Sequence, residues 1–123
     1  MRYVLVLCVL LLAACEGSFV RSGDLGRKVN IDRSYEARDA CLSRNAAADG
    51  TSTTDPATLA HAVALACSAE TDKLISASDY TGDSKVAASI RQDSEFRAMG
   101  FVMKARGQAM FRGVAEESGS RTH

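Results

Sequence analysis

The stretch CLSRNAAADGTSTTDPATLAHAVALAC, residues 41–67, decides the fold. It reads as the end of one helix, a polar turn and most of a second helix, with a cysteine on each arm. Asp49-Gly50 supplies the stop of the first arm, because glycine takes the left-handed conformation that many helix ends use. Thr51 to Thr54 are turn residues. Asp55-Pro56 opens the second arm. Asp55 accepts from orphan backbone N–H groups, and Pro56 at the first helical position loses nothing by lacking a donor. Cys41 and Cys67 lie at similar distances from the middle of the turn, so antiparallel arms bring them nearly opposite each other.

Outward from the hairpin, the first helix is expected to begin near Asp32 or Ser34, with Glu36 in the first turn where the helix dipole favours an acid. It carries Tyr35, Ala37, Cys41 and Leu42 and ends near Ala48. The second helix is expected to continue to Ile75 or Ser78, with Ala60, Val63, Cys67 and Leu74 along one side and Leu59 and Ala66 beside them. Its alanines permit close approach of the first helix. Ser76 to Ser84 form a second polar break, with Asp83 placed to cap the next helix.

A third helical region runs from Lys85 to Arg112. At ~100° per residue, Phe96, Met99, Gly100, Met103, Gly107, Met110 and Phe111 share an arc of roughly 120° and are expected to face the core. Arg97, Lys104, Gln108 and Arg112 border that arc, whereas Val86 and Ile90 point to the basic border. The helix therefore either breaks near Asp93-Ser94 or meets different neighbours along its length. Residues 31–112 are thus expected to form an all-α domain, a disulfide-stapled antiparallel helical hairpin covered by a third helical segment. Residues 15–30, polar and rich in Gly, Ser and charge, read as a flexible tether, and residues 113–123 as a frayed tail.

Composition agrees with a small helical protein. The 123 residues suffice for one domain, and the absence of Trp and the single Pro argue against a β-rich fold with many turns. Fifteen basic and 15 acidic residues cancel, so bulk electrostatics gives no reason to expect nucleic acid.

The first residues belong to targeting rather than to the fold. Met1-Arg2 is a short basic start, and the apolar run Tyr3–Ala14 falls short of the ~20 residues that span a bilayer. Leu12-Ala13-Ala14-Cys15 resembles the lipobox of bacterial lipoproteins. The resemblance covers residues 1–15. It implies removal of residues 1–14, diacylglycerol on the Cys15 sulfur and a fatty acyl group, such as palmitate, on the new amino group. Several acyl chains make a stable membrane anchor where one is marginal. An ordinary cleaved secretion signal and an uncleaved N-terminal anchor are the alternatives. In such lipoproteins Asp after the cysteine favours the inner membrane; Glu16 here leans to the outer membrane, facing the periplasm. The remainder resembles small exported helical proteins to which no activity attaches, so no residue role is carried over.

Export sorts the cysteines. Cys8 leaves with the signal, Cys15 carries lipid, and Cys41 and Cys67 remain as a pair in an oxidising compartment. Free thiols or a metal site are the alternatives, but only His61 is at hand as a further ligand.

Catalytic signals are missing from the sequence: no G-x-S-x-G, H-E-x-x-H, P-loop or Rossmann fingerprint occurs, and His61 stands alone on its helix. The chain is expected not to be an enzyme and to need no cofactor. Met99, Met103 and Met110 invite a copper reading, since thioethers bind Cu(I), but they suit the core face of a helix better. Arg97, Lys104, Arg106 and Arg112, with no acid among residues 97–112, make the third helix the candidate interaction face, for anionic head groups, an envelope protein or cell-wall polymer. The leading expectation is a lipid-anchored envelope protein with an interaction or structural role at the membrane surface. The alternative is a small-ligand or metal carrier in the periplasm that uses the methionine and phenylalanine face as pocket lining.

Overall fold

Asp55 opens the second arm as its chemistry requires: its carboxylate accepts the Thr58 backbone N–H at 3.1 Å, with Pro56 next in the chain. In the computed structural model, which describes residues 22–120, four helices succeed one another: α1 (Ser22–Ala48), α2 (Pro56–Ala66), α3 (Ser68–Ser78) and α4 (Ser84–Ser120). No strand occurs among the described residues. The signal segment and Cys15 lie outside them.

The fold is the expected all-α hairpin with a helical cover. Cys41 of α1 and Cys67 are joined by a disulfide, with Cα atoms 5.9 Å apart. α1 and the α2–α3 arm run antiparallel, since Arg27 reaches the Ser78 carbonyl while Cys41 meets Cys67. α4 runs antiparallel to that arm and parallel to α1: Arg91 meets Asp72 and Arg106 meets Thr54, while Arg38 meets Asp93 and Gly50 meets Ala105. The core between them is built from small and medium side chains. Cys41, Leu42 and Ala46 of α1 pack with Leu59, Ala60 and Val63 of α2, Cys67, and Ala98 and Val102 of α4. Burying a side chain the size of Leu42 or Val102 stabilises by about 1.5–3 kcal/mol.

Five expectations need correction. First, α1 begins at Ser22, about ten residues before Asp32, and so takes in much of the expected tether. Lys28 pairs with Asp32 one turn on at 2.9 Å, and the Arg27 guanidinium donates to the Ser78 carbonyl at 3.1 Å and lies 4.6 Å over the Tyr80 ring. These two cations of the expected tether are occupied inside the protein. Second, the second arm is two helices. The Cys67 N–H reaches both Val63 and Ala64 carbonyls at 3.2 Å, and α3 starts anew at Ser68. The arm changes neighbours there, because α2 packs chiefly on α4 and α3 chiefly on α1.

Third, α4 neither breaks at Asp93-Ser94 nor ends at Arg112, but continues to Ser120. Beyond Arg112 the chain offers Ala115, Glu116 and Glu117, good helix formers. Fourth, α4 faces the core with Ile90, Ser94, Ala98 and Val102, spaced four apart, and not with the Phe and Met arc. Met99 of that arc packs against the core, while Phe96, Met103 and Met110 are 79%, 55% and 73% exposed. The surface that α4 covers combines the cystine and Ala46 and Ala60 with Leu42, Leu59 and Val63. Against it the helix turns Ile90, Ser94, Ala98 and Val102 rather than its phenylalanine and methionine arc.

Fifth, Gly50 does not adopt the left-handed conformation; Gly82 does, at φ 77°. The Gly50 position is small because a Cβ there would meet the Ala105 Cβ at 3.3 Å. Between α3 and α4, Asp79 accepts from the Thr81 hydroxyl at 2.6 Å, the Thr81 N–H at 2.9 Å and the Asp83 N–H. Asp83 in turn accepts the Lys85 N–H at 2.8 Å, as the expected cap.

Two outcomes are expected. Replacing both Cys41 and Cys67 by Ala lowers unfolding free energy by about 3–4 kcal/mol in the chain-entropy account of a loop closed across 26 positions. Urea unfolding of the oxidised and double-variant proteins reads this, and equal midpoints would refute it. The Asp79 carboxyl is held below its ordinary value of 3.8, first by the Thr81 hydroxyl and then by the Thr81 and Asp83 N–H groups, against the opposing effect of burial. Its contribution is therefore full above the unfolded-state value and disappears as the pH falls through the lowered one. An NMR titration of the Asp79 carboxyl should give a midpoint below 3.8, and one at or above it would contradict the hydrogen bonds that hold the turn.

Candidate functional site

Arg38 stands one turn before Leu42 on α1, on the face that α1 buries, and its side chain is 0% exposed. A buried guanidinium needs carboxylates, and it has two. Nε and Nη2 donate to Asp39 Oδ1 at 3.1 and 3.0 Å, Nη1 donates to Asp93 Oδ2 at 2.9 Å, and the Tyr35 ring lies 5.0 Å from the guanidinium carbon. Arg97 closes the figure from α4, with Nη1 donating to Asp39 Oδ2 at 2.8 Å and Nε to Asp93 Oδ2 at 3.1 Å. Two cations and two anions thus alternate around a neutral square that bridges α1 and α4.

The square extends inward through hydroxyls. Arg38 Nη1 also donates to Ser94 Oγ at 3.3 Å, and Ser94 lies 3.3 Å from the Thr71 hydroxyl of α3. Each hydroxyl has one proton, so one of the pair donates to the other while its partner donates back to the preceding turn, Ser94 to Ile90 O at 2.9 Å or Thr71 to Cys67 O at 3.1 Å. Arg38 therefore touches α4 directly and α3 through two hydroxyls. Burial alone would lower the Arg97 pKa, but the carboxylates of Asp39 and Asp93 outweigh it and hold the guanidinium above its ordinary value. Asp39 shares its two oxygens between two arginines, and Asp93 Oδ2 accepts from both, so the pair of acids ties α1 to α4.

The four expected interaction-face cations separate by role. Arg97 belongs to the square. Arg106 donates to the carbonyls of Ser52, at 3.3 Å, and Thr54, clamping the α1–α2 turn against α4. Lys104 and Arg112 are exposed. His61 pairs through Nδ1 with Glu95 of α4 at 2.9 Å, both side chains more than half exposed, a pair of the kind worth about 0.2–1 kcal/mol. Asn45 Nδ2 donates to the Cys41 carbonyl at 2.9 Å and sits 3.5 Å from each sulfur of the cystine, which fills the space beside the bond with a polar group.

Two surface features adjoin the square. A shallow groove of about 390 Å³ on α4 is lined by Asp93, Phe96, Arg97, Gly100, Phe101 and Lys104. Neither Met99 nor Met103 lines it, so the methionines do not wall a pocket there. A smaller cleft between the α2–α3 arm and α4 is lined by Leu65, Thr71, Arg91, Ser94 and Glu95 among others. Among the described residues no three His, Cys, Asp or Glu side chains gather as a metal-binding group. No helix among them is long and apolar enough to cross a membrane.

In the sequence, Arg97 stands out as an interaction-face cation and Asp93-Ser94 as a candidate break, but Arg38 and Asp39 do not stand out. The signal was present: an arginine three positions before Cys41 and four before Leu42 falls on the core face, and such a residue must find an acid. Comparison with protein-family models, curated proteins and solved structures finds no match for this chain.

Removing the centre of the square tests its role. Arg38→Ala should lower unfolding free energy by about 3 kcal/mol, the low end for a broken buried pair because both carboxylates keep Arg97 and some water. Arg38→Lys should recover little of this, since an ammonium cannot reproduce the planar fork. Chemical denaturation of both variants decides it, and full recovery by lysine would reduce the square to simple charge neutralisation.

Proposed function

We propose that the mature chain begins at a lipidated Cys15 and acts without catalysis as an interaction or structural module of the cell envelope. In this reading it is held at the membrane surface, in the outer membrane facing the periplasm. The observation that carries the proposal is the coincidence of two independent cysteine signals. Leu12-Ala13-Ala14-Cys15 has the form of a lipobox, and the domain behind it is closed by a cystine at its core, a bond that persists in oxidising compartments. With α1 starting at Ser22, residues 16–21 would separate the lipid from the bundle, giving a reach of at most ~20 Å. The bundle would sit close to the bilayer rather than far above it.

A role in binding rather than chemistry is favoured by how the polar side chains are used. The acids of the square are occupied by Arg38 and Arg97, and several of the large apolar groups left in solvent lie along α4. Intact mass of the protein taken from membranes, before and after reduction and alkylation, tests the proposal. The expected mass is that of residues 15–123 plus acyl chains, with two thiols alkylated only after reduction. An unlipidated mass would overturn the anchor, and thiols free before reduction would overturn the compartment.

A further inference from the structure

α4 has two faces at once. Its buried side carries Ser94, Ala98 and Val102, and its opposite side shows Phe96, Gly100, Met103, Gly107 and Met110 at alternating spacings of four and three. That alternation is a heptad seam, narrower than the broad apolar face of a helix packed into a core or laid on lipid. Three of its members are large apolar side chains at 79%, 55% and 73% exposure.

The glycines between them have no explanation inside the chain. A Cβ added at Gly100 or Gly107 would meet nothing within 4 Å, and neither position has positive φ. Glycine in a helix interior is nonetheless less stable than alanine. Glycines seven apart, between knobs of Phe and Met, leave holes for the knobs of a second helix lying close. A lipid surface would gain nothing from them.

Charge selects the occupant. In the seam's register Lys104 flanks one side and Arg106 the other; Arg97, on the Lys104 side, is already paired with Asp39 and Asp93. Among the described residues no carboxylate forms an ion pair with Lys104, Arg106 or Arg112, and Arg106 spends its hydrogen bonds on backbone carbonyls, so these charges are uncancelled. A second copy of α4 lying antiparallel would set Lys104 against Lys104 and Arg106 against Arg106, and one lying parallel would offer neither cation an acid at the facing position. We propose that this seam docks an amphipathic helix of another protein, one with apolar knobs at heptad spacing and Asp or Glu at the flanking positions. The proposal rests on the interaction role argued above and names the chemistry of the partner.

The test uses two synthetic three-heptad helical peptides with Leu in the seam, one flanked by Glu and one by Lys, titrated against the purified full chain in detergent by fluorescence anisotropy. The Glu peptide is expected to bind at least tenfold tighter than the Lys peptide. Met103→Glu, at an exposed position, should cost at least tenfold in that binding with an unchanged melting midpoint. Gly100→Ala together with Gly107→Ala should raise the melting midpoint yet weaken binding severalfold. Equal binding of the two peptides, or binding indifferent to Met103→Glu, overturns the proposal. So does self-association in sedimentation that Met103→Glu abolishes, which would make the occupant a second copy. Partition onto phosphatidylglycerol vesicles with the same Met103 dependence, and no preference between peptides, would make it the lipid surface and overturn the proposal too. The titration does not depend on Cys15, so an unlipidated mass and a failed docking are separate results.

Discussion

The Cys41–Cys67 bond fixes how near the two arms of the hairpin lie, and that distance constrains much of the remaining structure. With Cα atoms 5.9 Å apart, the core around the bond mixes Ala46, Ala60 and Ala98 with Leu42, Leu59, Val63 and Val102. Such a small core buries limited apolar area, so a covalent restraint on the unfolded chain matters more here than in a large core of leucine and phenylalanine. The same closeness determines how α4 docks. Its Ile90–Ser94–Ala98–Val102 side faces the hairpin, with Met99 and Phe101 at the edge of the contact, and Phe96, Met103 and Met110 are turned out.

Small side chains approach closely but do little to specify register, because alanine ridges fit one another in several alignments. The Arg38 square supplies what they lack. A buried guanidinium with donors to Asp39, Asp93 and Ser94 has one satisfactory arrangement, and a slip of α4 by a turn would strand it. The Arg106 clamp on the Ser52 and Thr54 carbonyls pins the same helix further along, beside the contact of Gly50 with Ala105. Apolar packing holds α4 on the hairpin, and polar geometry decides where along it.

The hairpin was legible in the sequence because its signals are local. Asp55-Pro56, the Asp49-Gly50 stop and the matched cysteines each act within a few residues of the turn or of one another in space. The orientation of α4 was not, because hydrophobicity ranks Phe96 and Met103 above Ser94 and Ala98, while the hairpin surface selects for size. Asp93-Ser94 read as a break in an apolar pattern because Arg38, the group that needs them, lies 55 and 56 positions away. The early start of α1 was hidden for a similar reason: Arg27 is tied by the Ser78 carbonyl and the Tyr80 ring, which no local propensity around Gly23 and Gly26 reveals. Likewise, nothing near Ala66-Cys67-Ser68 marks a break; the helix is interrupted where its packing partner changes.

The mismatch between visible and buried patterns reflects a division of labour within α4. A helix that only covered a hairpin would need one apolar face, and the pattern most visible in its sequence should then be the buried one. In α4 the most visible pattern is the exposed one, while the buried one, Ile90, Ser94, Ala98 and Val102, is smaller and interrupted by a serine. Folding accounts for Ser94, Ala98 and Val102 through the close hairpin and the Arg38 square. It does not account for phenylalanine and methionine in water, or for glycines in open space that weaken their own helix. Glycines that cost stability and large apolar side chains left mostly in solvent are better explained by a contact outside the chain. The small core is consistent with this: by letting α4 dock through isoleucine, serine, alanine and valine, it frees Phe96, Met103 and Met110 for the opposite face.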